Sequence, residues 1–96
     1  MKKEVYINII YDYYGNLLTE KQQLYFEDYY FNNLSLGEIS NNYGVSRNAI
    51  HKQLRNIEKK LNYYETKLNL YKKAIEIKRI IISKDKSIYE KIEKLI

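Results

Sequence analysis

Residues 35–59 read SLGEISNNYGVSRNAIHKQLRNIEK, and this stretch decides the fold. Ser35-Leu36-Gly37-Glu38 is a capping box, in which the serine hydroxyl and the glutamate carboxylate each satisfy a backbone N–H at a helix start. The short helix it opens turns Leu36, Ile39 and Tyr43 inward. Gly44 stands where a left-handed turn residue is needed. Val45 follows, and then Ser46, a second helix cap. Capped helix, glycine, apolar residue and capped helix within this span are the layout of a helix-turn-helix.

The pattern continues outward in both directions. After Ser46 the apolar positions are Ile50, Leu54, Ile57, Leu61, Tyr64, Leu68, Tyr71 and Ile75. Their steps alternate four and three, which predicts a long helix burying this seam, with Asn69 a local break. Upstream, Thr19-Glu20-Lys21-Gln22 is another capping box, and Asn32-Asn33 stops the helix it opens. Val5, Ile9, Ile10 and Tyr13 predict the inward face of a first helix ending at Gly15. Ser87-Ile88-Tyr89-Glu90 predicts a third box, with Lys84-Asp85-Lys86 as the loop before it and Ile88, Ile92 and Leu95 on its helix. The expected fold is all-α: a helix-turn-helix core of three to four helices, like sigma factor region 4 or a winged helix, with long C-terminal helices. The expected division is a helix-turn-helix domain at 1–62 and a helical extension at 63–96 that pairs two chains.

On a wheel of 100° per residue, Ile50, Leu54, Ile57 and Leu61 form one stripe of the helix from Ser46. Asn48, Lys52, Arg55 and Lys59 lie opposite, flanked by Arg47, His51 and Asn56. A major groove admits one such helix, whose early residues reach base edges while later ones meet phosphates. The candidate DNA-binding set is therefore Ser46, Arg47, Asn48, His51, Lys52, Arg55 and Lys59, with Lys60 near the phosphates. A lone basic helix face is commonly just solvated. Its place on the second helix of this motif favours DNA.

The net charge of +5 is uneven. Residues 1–48 hold four bases and six acids; residues 49–96 hold thirteen bases and six acids. A basic half fits a polyanionic partner. Isoleucine, asparagine, lysine and tyrosine make up over half the 96 residues, a bias that AT-rich codons also produce. The absence of cysteine excludes disulfides and thiolate metal sites and fits a cytoplasmic protein. His51 stands alone, so no metal or other cofactor is expected. No signal peptide or membrane-spanning run is visible. No phosphate loop, nucleophile with a partner base, or carboxylate pair beside a histidine occurs, so an enzyme is not expected. The twelve tyrosines read better as packing and interface residues than as a base-stacking platform.

Four segments carry a family resemblance: LLTEKQ (Leu17 to Gln22), LSLGEIS (Leu34 to Ser40), VSRNAI (Val45 to Ile50) and YETKLNLY (Tyr64 to Tyr71). Over about residues 5–73 the chain resembles the YlxM family of small helix-turn-helix proteins of low-GC Gram-positive bacteria. The first three segments also resemble sigma factor region 4; the fourth favours the YlxM family. The resemblance implies an all-helical homodimer joined through long C-terminal helices. It also implies a link to the signal recognition particle, beside whose genes those of the family lie. Family members often have an acidic residue where this chain has Lys52, so the exposed face is more basic here. Two functions follow as expectations. One is a dimeric DNA-binding regulator. The other is an accessory of the signal recognition particle that meets its RNA or protein without reading DNA. A sigma-like accessory of RNA polymerase is a weaker third.

Overall fold

Isoleucines and aromatic rings from four helices meet in one core, and two further helices lead away from it. The computed structural model describes residues 1–95. The helices are α1 (Lys3–Tyr14), α2 (Glu20–Tyr30), α3 (Leu36–Tyr43), α4 (Arg47–Leu68), α5 (Leu70–Lys84) and α6 (Lys86–Glu93). No strand occurs among the described residues. Helix α4 is the central element, packed by α1, α2 and α3. Its Ile50, Leu54, Ile57 and Leu61 are buried with Ile7, Ile10 and Tyr14 of α1, Tyr25 and Phe26 of α2, and Ile39 of α3. We call these four helices the head. Helix α5 packs on α1 and α4, and α6 packs on α5. These two form an arm.

The caps predicted for the head are present. Thr19 and Ser35 each form a capping box, with Gln22 and Glu38 as the reciprocal partners. Gly44 (φ 67°) and Asn33 (φ 55°) are left-handed, as the turns after α3 and α2 require. Most tyrosines pack: Tyr14 and Tyr25 are buried, and Tyr11 stacks on Phe26 at 4.1 Å. That close stacking explains Gly15. Its φ is ordinary, but an added Cβ would lie 2.9 Å from the Tyr11 ring.

Three expectations need correction. The inward face of α1 is Ile7, Ile10 and Tyr14; Val5 is half exposed, and Ile9 and Tyr13 are only partly buried. α1 is apolar around much of its circumference, so periodicity alone did not select the face. Tyr14 points inward because its hydroxyl has partners there. The final cap is also different. Asp85, not Ser87, caps α6, accepting the N–H groups of Ser87 and Ile88, and it alone forms the corner after α5. Ile88 and Leu95 of the last segment are exposed and Ile92 is partly buried.

The heptad seam is the third. It is buried through Leu61 and partly buried at Tyr64, but Leu68 and Ile75 are exposed. Asn69 takes a left-handed conformation (φ 55°), and the helix breaks there. The expected division at 62/63 falls within α4, six residues before its end. What holds the break is Glu65, which is buried. Its Oε1 accepts the Tyr14 hydroxyl (2.5 Å) and the Tyr71 N–H (3.2 Å), and its Oε2 accepts the Lys72 N–H (3.1 Å). The Tyr14 hydroxyl in turn accepts the Leu70 N–H at 3.1 Å. A helix start leaves its first N–H groups without helical partners. Here two side chains from other helices satisfy them, while Asn69 itself makes no side-chain cap. Burial and the Glu65 carboxylate push the Tyr14 phenol up to about 12.

Candidate nucleic-acid interface

The local chemistry between α3 and α4 sets the direction of α4. The Ser40 carbonyl accepts the N–H groups of both Gly44 and Val45, which closes α3 around the left-handed glycine. No atom lies within 4 Å of a Cβ built on Gly44, so its backbone angle, not crowding, calls for glycine. Ser46 then caps α4, its hydroxyl oxygen accepting the Ala49 N–H at 3.1 Å. The Glu38 carboxyl sits below its usual range because the Ser35 N–H and hydroxyl stabilise the charged form. The far end of α3 is tied to α2, since the Tyr43 hydroxyl donates to Asp28 at 3.0 Å. Tyr25 meets the Tyr43 ring edge-on at 4.9 Å.

Each predicted site residue lies on the surface. Ser46, Arg47, Asn48, His51, Lys52, Arg55 and Lys59 are all exposed. They do not form one patch of equal standing. Asn48, Lys52 and Lys59 fall within about 40° of one another, opposite the buried stripe. Arg47, His51 and Arg55 lie on one flank. His51 and Arg55 line a cleft of about 370 Å³ with Lys3, Tyr29 and Tyr30 and with two acids, Glu4 and Glu58. Arg47 turns toward α3, its Nε 3.9 Å from where a Cβ of Gly37 would stand. Ser46 differs from the rest, because its hydroxyl is engaged in the cap.

Charge on the outward face of α4 itself is one-sided for a structural reason. The acid among residues 47–59 is Glu58. It is held inward by Lys3 (3.2 Å) and by the Tyr30 hydroxyl. Burial and Glu58 together raise the Tyr30 phenol well above its ordinary value. Among the described residues, Arg47, Lys52, Arg55 and Lys59 make no ion pair. Their charge is therefore available to an external anion. Lys3 is the cation that sequence reasoning missed. It reaches the cleft only because α1 packs along α4, and no local signal marks it.

The whole chain, residues 1–96, matches the family described as "Putative helix-turn-helix protein, YlxM / p13 like". The chain belongs to that family. Among curated relatives, a UPF0122 protein of Desulforamulus reducens is 52% identical over 58 residues, covering 60% of this chain and 50% of the relative. One from Malacoplasma penetrans is 55% identical over 49 residues, covering 51% and 46%. One from Caldanaerobacter subterraneus is 39% identical over 91 residues, covering 95% and 68%. Against the first of these relatives the match spans about half of their length. The family description agrees with α3, the Gly44 turn and α4. No described helix is long and apolar enough to cross a membrane.

Proposed function

We propose that the protein is a cytoplasmic, non-enzymatic DNA-binding regulator that acts as a homodimer and sets α4 in the major groove. One observation carries this reading. The second helix of the motif buries Ile50, Leu54, Ile57 and Leu61 and turns unpaired bases to solvent. Arg47, Asn48, His51 and Lys52 are the base-reading residues, since asparagine pairs with adenine edges and arginine or lysine with guanine. Arg55 and Lys59 meet phosphates, and Ser46 fixes the start of the helix beside them. The arm, with its exposed isoleucines, joins two chains and so spaces two α4 helices for two half-sites.

Fluorescence anisotropy with labelled genomic fragments tests the reading. Affinity falls steeply between two salt concentrations, because neutralised phosphates release counterions. Lys52→Ala and Arg55→Ala each weaken binding without lowering the melting temperature, and Arg55→Ala reduces the salt slope by about 1. Binding that is absent or insensitive to salt overturns it.

The excess of bases after residue 48 favours a second reading, an accessory of the signal recognition particle. The basic surface then meets that particle's RNA or a protein subunit, and the helix-turn-helix is a scaffold. Pull-down from lysate with and without nuclease separates the two, as does direct binding to the particle's RNA.

A further inference from the structure

Two apolar strips on the surface share a spacing and differ in charge. The first runs along α5: Leu70, Lys73, Ile77, Ile80 and Lys84, at steps of three and four. All are exposed, Ile80 at 60%. The second runs along α2 and onto the residue that ends it, Phe31, whose ring also meets Phe26 and Tyr11 edge-on. Leu24 and Phe31 are each half exposed, beside the exposed Glu20 and the partly buried Glu27 and Asp28, each of which has one carboxylate oxygen accepting a tyrosine hydroxyl. Lys21, at the edge of this strip, sits over the Tyr25 ring. Because both strips are exposed, they do not meet within one copy.

Charge decides what each strip fits. Residues 70–95 carry eight bases and four acids, and residues 1–46 carry three bases and six acids. Two arms laid strip to strip bring Lys73 and Lys84 against like charges, which is costly in an interface. Two α2 strips bring acids together. An arm on α2 buries apolar residues on both sides and places lysines against carboxylates.

We propose that the partner of the α5 strip is the α2 strip of a second copy. Each copy offers both surfaces, so two identical crossed contacts close a twofold pair. The α2 strip faces away from α4, so the pair leaves both basic faces of α4 open. This inference rests on the homodimer reading above and adds which surface receives the arm.

Light scattering on two charge-reversed forms of the full chain tests it. The head form carries Glu20→Lys with Leu24→Lys, and the arm form carries Lys73→Glu with Ile80→Glu. Each alone loses the dimer, with dissociation constants raised about tenfold or more. Mixed one to one, they recover dimer mass, because the reversed head now fits the reversed arm while the native surfaces pair as before. Recovery also shows that both forms are folded. The chain has no cysteine. Leu24→Cys chains therefore cross-link to Ile80→Cys chains when mixed, and neither cross-links to itself. If the head form stays dimeric and Ile80→Cys chains cross-link to one another, the arms pair together. That result overturns this inference and leaves the homodimer reading standing. A wild-type chain that is monomeric at all concentrations overturns both.

Discussion

The head and the arm are written in the same helical code, yet only the head closes on itself. In the head, α1 through α4 each contribute fully buried side chains, among them Phe26, Ile39 and Ile57. In the arm, Ala74 is the buried apolar residue, while Ile77, Ile80 and Ile82 remain exposed. An amphipathic pattern states which face is able to be buried. It does not state what will cover that face, and here the head has three neighbours for α4 whereas α5 meets its neighbours along one side only. The two regions meet at Glu65 and Tyr14, whose hydrogen bonds orient α5 from within the head.

The largest expected break in this contrast is in the head. Ile57→Ala opens a cavity among side chains that cannot fully collapse and lowers unfolding free energy by about 2–5 kcal/mol. Urea unfolding followed by circular dichroism measures it. A loss under about 1 kcal/mol shows that the site collapses after all.

Next comes the junction. Glu65→Ala leaves the Tyr14 hydroxyl and the N–H groups of Tyr71 and Lys72 without their partner, at a cost of about 3 kcal/mol. Hydrogen exchange gives the sharper readout. Amides at Tyr71 and Lys72 lose protection, while those at Ile57 and Leu61 keep theirs. Equal loss at all four shows that arm and head unfold as one unit.

A smaller effect follows from pH. The Tyr14 phenol titrates at about 12 in the folded state, above its ordinary value of 10.0. A folded value raised in this way stabilises fully below pH 10 and is lost as pH rises toward 12. Melting temperature therefore falls over that interval, and Tyr14→Phe removes part of the fall. Tyr11 and Tyr30, raised by burial and by their carboxylate partners, contribute to what remains, together with Tyr6, Tyr13 and Tyr43, which burial also raises.

The smallest effect is in the arm. Ile80→Ala changes the stability of the isolated chain by no more than about 0.5 kcal/mol, since its side chain already faces solvent. Melting at micromolar and millimolar chain concentrations distinguishes this from a role in pairing. A destabilisation that appears only at the higher concentration marks a side chain buried between copies.

The sequence by itself determined most features whose partners lie within a few residues. The boxes at Thr19 and Ser35, the left-handed Asn33 and Gly44, and the cap at Ser46 are closed by local hydrogen bonds, so the residue types report them directly. The helix-turn-helix and the exposed rank of Asn48, Lys52 and Lys59 were legible for the same reason. Only the tertiary structure decided the rest. Tyr14 and Glu65 are 51 positions apart, and Lys3 and Glu58 are 55 apart. Neither pair leaves a local trace. Asp85 took the final cap from Ser87, where two capping residues stood close together and the corner of the chain chose between them. The seam that looked continuous to Ile75 is interrupted at the left-handed Asn69: Leu68 before it and Ile75 after it are exposed, while Tyr71 still packs on the core and Ala74 takes the buried place in α5.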